Sequence, residues 1–252
     1  MTRILVCAAL LLAVAACSPA AVNESSVPGA SAVVAASAEG TASASTRRTP
    51  ARLAGFAKLL EAGPYIFEDA MPHVTLDVPA DWYLSETMPR HFGLHPGDVL
   101  ENESLRIWFD MRVASKDSGC PETPQAGVGH LARDLVSDFT SDRRLSTTTP
   151  KPVSVGGLTG QVLDVGVAAD WKRDCPFDKG KRAAPLFLDD NVDGEPAFWG
   201  VTGPEKLRLM VLDDGHSSNV VVMVDSTSGT TLDQLETAVK PVLDSFRFQT
   251  GL

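Results

Sequence analysis

Cysteine, tyrosine and basic charge are scarce in this 252-residue chain, which holds 4 Cys, 2 Tyr and 22 Lys+Arg against 32 Asp+Glu, for a net charge of -10. So few cysteines exclude a disulfide-dense miniprotein and an array of zinc ribbons. The basic deficit argues against nucleic acid as a partner, because neutralising phosphates needs clustered Lys and Arg. No apolar run reaches the roughly 18 residues of a membrane-spanning helix, and no Gly-rich phosphate loop occurs. What remains is 44% hydrophobic and 21% charged, a globular composition. The length suits one domain with appendages or two small domains.

The N-terminus reads as an address. Arg3 is followed by the apolar run Ile4 to Val14, the length of a signal-peptide core. The run ends in Val14-Ala15-Ala16-Cys17, small residues before a Cys, which is a lipobox. The Cys17 thiol is then the acylation point, chosen for its nucleophilicity; an ordinary leader cut elsewhere, with Cys17 incidental, is the alternative. Two or three acyl chains anchor stably where one is marginal. The expected mature protein is lipid-anchored to the cell membrane and faces outside the cytoplasm. Ser18 to Arg52 is an Ala/Ser/Thr-rich stretch without aromatics or periodicity, a disordered tether. Its reach is roughly 30 Å. The expected organisation is residues 1–16 signal peptide, 17–52 lipidated Cys and tether, and 53–252 a single α+β domain.

Within that domain Leu53, Phe56, Leu59 and Leu60 have helical spacing, ended by Gly63-Pro64. His73 to Pro79 alternates as a strand, and Leu105 to Val113 is a second one. Val128, Leu131, Leu135 and Phe139 predict an amphipathic helix. Gly156-Gly157 and Asp214-Gly215 are hairpin turns between apolar strands. Thr230 and Asp233 fit a capping box for a last helix on the face of Leu232, Leu235, Val239, Val242 and Phe246. Pro241 inside that helix predicts a kink or early break, since an interior Pro costs about 3 kcal/mol. Trp171 to Pro204 reads as a long surface loop or a short irregular strand. The expected fold is α+β, an antiparallel sheet flanked by helices.

Three phrases resemble a known family. Val78-Pro79-Ala80-Asp81-Trp82 is similar to the opening of PsbP-like domains, Val153 to Gln161 to a strand-glycine step of secreted actinobacterial proteins, and Leu243 to Phe248 to the closing helix and strand. The chain thus resembles PsbP-like domains of the mycobacterial LpqN lipoprotein type over roughly residues 64–250. The resemblance implies an α/β/α sandwich and non-catalytic binding or assembly, with no catalytic set and no cofactor to carry over. Pro241 departs from the family's uninterrupted last helix.

Cys120 and Cys175 remain after processing, and similar cysteines recur in those actinobacterial proteins. An extracytoplasmic chain with two such thiols usually pairs them; both precede a proline, which suits exposed loops. The rival, a reactive or metal-binding thiol, lacks a nearby His or Cys at ligand spacing. Asp189, Asn191, Asp193 and Gly194 match the first half of a calcium loop, but Gly200 stands where its bidentate Glu belongs. A weak calcium site and an exposed acidic turn are both open; no metal is expected. His91 and His95 read as loop histidines, and His130 and His216 occupy ordinary places. Gly215-His216-Ser217-Ser218-Asn219 echoes a nucleophile elbow without its last glycine. Trp108 either joins the core or lines a groove on an open sheet face.

The expected function is therefore a cell-envelope lipoprotein with a non-catalytic binding or assembly module. Its partners would be the membrane through the acyl chains and an envelope lipid or protein. An envelope hydrolase with an unidentified site and a calcium-binding adaptor are the alternatives.

Overall fold

The structure is a computed structural model that describes residues 48–97, 103–178, 181–189, 198–226 and 231–250. Cys17, Asn191 and Asp193 lie outside the described residues. The first half of the domain is all strand: β1 (Ala51–Arg52), β2 (Phe56–Leu60), β3 (Gly63–Phe67), β4 (His73–Val78), β5 (Trp82–Met88), β6 (His91–Pro96), β7 (Glu103–Phe109) and β8 (Met111–Val113). Helix α1 (Ala132–Ser141) follows, then β9 (Leu145–Thr147), β10 (Lys151–Val155), β11 (Leu158–Val167), β12 (Ala183–Asp189), β13 (Phe198–Thr202), β14 (Lys206–Asp213) and β15 (Asn219–Ser226). Helix α2 (Leu232–Ser245) and β16 (Arg247–Gln249) end the domain.

The centre is a nine-stranded sheet in the order β10-β11-β14-β15-β7-β6-β5-β2, with β9 added on β11. Its paired neighbours are antiparallel. One face carries Leu94, Leu105, Ile107, Phe109, Met210, Leu212 and Val222, packed against α2 and the four-stranded sheet β1-β3-β4-β16. The other face carries Trp108, Leu207, Leu209, Val211, Val221 and Met223, packed against α1 and the three-stranded sheet β13-β12-β8. Strands β14 and β15 thus supply both cores by strict alternation, and every residue of β15 is buried.

This is a mostly β protein, with sixteen strands and two α-helices among the described residues. The expected α+β fold, a sheet flanked by helices in a PsbP-like sandwich, is overturned, because sheets rather than helices form most of each covering layer. Three local misreadings explain the error. Of the helically spaced set, Leu53 lies between β1 and β2, and Phe56, Leu59 and Leu60 belong to β2. Only Leu53 and Leu60 of that set are buried; Phe56 is 76% and Leu59 52% exposed, so the spacing marks no common buried face. The run Leu105 to Val113 is two strands in two sheets, broken at Asp110, whose φ of 57° turns the chain. The stretch Trp171 to Pro204 contains β12, buried at every position between β8 and β13. A strand buried on both sides reads as a continuous apolar run, without alternation.

Other expectations agree with the fold. Gly156 (φ 60°) and Gly157 (φ 95°) close the β10-β11 hairpin, a conformation open to glycine at no steric cost. The Asp214-Gly215 loop joins β14 to β15. Helix α2 is capped by Thr231, whose Oγ accepts from the Gln234 N–H, one residue along from the expected Thr230-Asp233 box. Pro241 sits within α2, which continues to Ser245 without the expected early break.

Candidate functional site

A cleft opens on the α2 side of the central sheet. Its volume is about 510 Å3, and its lining includes Ser146, Thr147, Thr148, Asp164, Gly166, Lys206, Arg208, Ser226, Thr231 and Asp233. A second cleft of about 500 Å3 continues from it and shares Thr148, Asp164 and Arg208, adding Thr149, Lys151, Val162 and Glu236. The floor comes from β9, β11, β14 and the end of β15, and the first turn of α2 forms one wall.

Arg208 divides the two clefts. It shares strand parity with Met210 and Leu212, so it points to the core side as they do. Its guanidinium meets Asp164 side on, Nε donating to Oδ1 at 2.7 Å and Nη2 to Oδ2 at 2.9 Å. Nη1 lies 2.9 Å from Asp233 Oδ1 and also donates to Glu236. Asp164 above all, helped by Glu236 and Asp233 and opposed by burial, holds the guanidinium still more firmly protonated. A two-pronged Arg–carboxylate pair fixes both groups in orientation. Three carboxylates are therefore committed to one cation, and hydroxyls of Ser and Thr dominate what is left to meet a ligand.

The second face holds the buried polar groups. His91 of β6 stacks on Trp108 with ring centroids 3.7 Å apart. It is 2% exposed, and neither ring nitrogen has a hydrogen-bond partner. Burial, with a smaller contribution from Arg106, pushes its pKa down to about 3. Beside it Arg106 donates to Glu86 at 2.7 Å and lies 4.6 Å from the centre of the Trp199 ring. The loop reading of His91 and His95 is thus corrected: both stand on β6, and His95 stacks on Tyr83. Trp108 is core, not groove wall. Further along this face the Glu205 carboxyl, 5% exposed and bonded to Asp225, is held above the usual carboxylate range by burial.

A third cluster gathers at the end of the sheet. The Asp110 carboxylate accepts from Ser218 Oγ at 2.5 Å and lies 3.0 Å from His130 Nδ1 and 3.2 Å from Arg90 Nη1. A nucleophilic serine needs the imidazole between hydroxyl and carboxylate. Here the carboxylate lies between them, and His130 Nδ1 has no aligned hydrogen-bond partner. The residue at the elbow-like position, Ser217, sits in an exposed turn at φ 77° between two strands. His216 Nε2 lies 2.6 Å from the Thr250 carbonyl oxygen.

Cys120 and Cys175 are joined, with Cα atoms 5.7 Å apart across a sequence separation of 55. Closing a loop of that length stabilises by about 4 kcal/mol in the chain-entropy account. The sulfurs are not in the exposed loops expected from their prolines; they are buried in a small core with Ala183 and Phe177. Of the calcium-loop candidates only Asp189 is described; it is 4% exposed at the end of β12. Among the described residues no group of three or more His, Cys, Asp or Glu side chains could hold a metal, and no helix is long and apolar enough to cross a membrane.

The cleft itself was not foreseen from the sequence. Its residues come from five segments spread over Ser146 to Asp233, and isolated Ser and Thr carry no pattern. One signal was there: Arg208 is a charge placed in the inward parity of a strand whose interior is otherwise apolar.

No protein-family model and no curated protein matches the chain. A crystal structure from Bacteroides thetaiotaomicron, determined at 1.50 Å, is similar with 11% identity and a TM-score of 0.35. The match covers 75% of this chain and 49% of that one, so the chain spans about half the length of that protein. A likeness at that level assigns neither fold nor function.

Proposed function

We propose that the chain is a cell-envelope lipoprotein, anchored through Cys17 outside the cytoplasm, whose β domain binds a polar, hydrogen-bonding component of the envelope without catalysis. One observation carries the reading of the domain. In the cleft Asp164, Asp233 and Glu236 are all bound to Arg208, and Ser and Thr hydroxyls with the Lys206 ammonium line the remainder. Such a lining rewards many modest hydrogen bonds.

The hydrolase alternative draws on the Glu205–Asp225 pair, since perturbed carboxyls mark active sites. That pair is buried on the opposite face of the sheet from the cleft, with Glu205 5% and Asp225 3% exposed. The Ser218–Asp110–His130 order does not activate a serine.

Comparative mass spectrometry of what co-purifies with the detergent-solubilised protein tests the reading. The parent is expected to carry a polar envelope component that is lost from a Thr147→Trp variant, whose indole fills the cleft. An identical set of molecules on both proteins, or turnover of envelope substrates by the parent, overturns it.

A further inference from the structure

Strand β14 begins where β15 ends, and their register closes there on Lys206 opposite Ser226. Both residues line the cleft. Their chain neighbours Glu205 and Asp225 have the other strand parity and turn to the second face of the sheet. There the two carboxyls bond to each other, 5% and 3% exposed. Glu205 also closes the turn that joins β13 to β14. Its Oε2 accepts from the Thr202 N–H at 2.7 Å and from the Thr202 hydroxyl at 3.3 Å. Its own N–H donates to the Thr202 carbonyl at 2.7 Å. Pro204, another cleft residue, lies within that turn and has no N–H to strengthen it.

Two carboxyls in contact away from water repel strongly if both ionise, and one shared proton removes the repulsion. The surroundings supply no counter-charge to Glu205. Asp178, at the end of the short turn Pro176–Asp178, is a like charge, and Lys181 lies 3.5 Å from it. Opposite Asp225 stand Leu207 on β14 and Ser104 on β7, whose hydroxyl accepts from Arg106 Nε. The Arg182 guanidinium packs on Gly203, and its Nη1 donates to the Ala169 carbonyl. None of these cations pairs with Glu205 among the described residues. Burial above all holds the Glu205 carboxyl above its ordinary 4.5, against the bonds from Thr202 and Asp225.

We infer that Glu205 and Asp225 form a proton-held latch behind the cleft: one shared proton clamps the end of β14 to β15, and its loss parts the strand ends and shifts Pro204, Lys206 and Ser226. Strands β14 and β15 pair no further than Lys206 and Ser226, so the carboxyl bond is what carries the clamp on into the turn. The folded chain keeps a proton that the unfolded chain gives up. The latch therefore contributes fully below about pH 4.5 and is lost as pH rises through the folded value. His91, with its lowered pKa, acts in the opposite sense. The consequence for binding rests on the reading of this cleft as the ligand site; the latch itself is measured without ligand.

Hydrogen–deuterium exchange of the full chain in detergent, read by mass spectrometry at pH 5 and pH 8 and corrected for the intrinsic rate, tests the latch. In the parent, protection of residues 202–207 and 224–226 is expected to fall at least about tenfold between the two, the worth of one pKa unit. Residues 165–167, across the cleft floor where Val165 pairs with Leu207, should loosen with them. Glu205→Gln keeps an acceptor for Thr202 and donates an N–H to Asp225 at every pH, so its fall should stay below about threefold. Asp225→Asn repeats the test from the other carboxyl, should the first variant fold poorly. An equal fall in parent and variants, or none in the parent, overturns the inference. Opening confined to the turn, with 165–167 unchanged, overturns the control of the cleft. Co-purification from the parent and from Thr147→Trp judges the cleft as a binding site separately, so either reading can fail while the other stands.

Discussion

The two faces of the central sheet are built on different principles. The first is closed by residues from both ends of the domain, β1, β3 and β4 with α2 and β16, and its core is almost wholly aliphatic and aromatic. The second is closed by the middle of the chain, α1 with β8, β12 and β13, and it buries charge among its apolar side chains. Asp142 and Arg144 form a pair at 2.8 Å with side chains 4% and 6% exposed, and His91 and Glu205 lie on that side as well. The core of the first face thus depends on packing, with its charged cluster around Arg208 set at the cleft on its margin. The other depends on packing and on each buried polar group keeping its partner or its neutral form, so only the second should respond strongly to pH.

Substitutions that break each face in its own way sharpen this contrast. Phe109→Ala strikes the first core, where the ring is fully buried 5.7 Å from Phe67 and 6.5 Å from Phe248. The expected loss is about 3–5 kcal/mol, read from urea denaturation and equal at pH 7.5 and pH 5. Arg144→Met on the second face strands Asp142 without its cation and removes the donor to the Ser115 carbonyl. A loss of about 3 kcal/mol is expected, because a broken buried pair leaves an uncompensated charge. A change below about 0.5 kcal/mol would show that water reaches the pair.

The pH response belongs to His91. Its folded pKa is about 3 against an ordinary 6.5, so between those values the unfolded chain binds a proton that the folded chain refuses. The contribution is complete above about pH 6.5 and is lost as pH falls towards 3. By pH 5 the loss is about 2 kcal/mol. A His91→Phe variant should show a shallower fall between pH 7.5 and pH 5 than the parent. Parallel pH profiles for the two proteins would refute the assignment. The smallest effect is expected at the cap of α2, where Thr231→Ala removes an acceptor for the Gln234 N–H and costs about 1 kcal/mol in thermal unfolding, with the midpoint shift the same at both pH values.

What could be read in advance follows how local the physics is. The β14-β15 and β10-β11 hairpins were legible because turn glycines and alternating apolar residues are near neighbours in sequence. The stretch Leu53 to Leu60 misled because an exposed apolar edge and an amphipathic helix share the same spacing, and only burial tells them apart. Strand β12 was hidden because Ala183 to Asp189 is covered on both sides, which erases alternation. Arg208 was missed, although its inward strand parity was a signal, because its partners Asp164, Asp233 and Glu236 lie on two other elements. Ser218 and His130 looked like separate surface residues, and Asp110 joins them only because the chain turns sharply there.

Composition and short-range pattern alone therefore determined the acidic character, the two hairpins and the last helix. These depend on residues within a few positions of one another. The layering of sheets, the burial of His91 and the polar cleft around Arg208 were decided by tertiary structure. Each depends on which distant strand covers which face, and a free energy of burial has no value until that neighbour is in place.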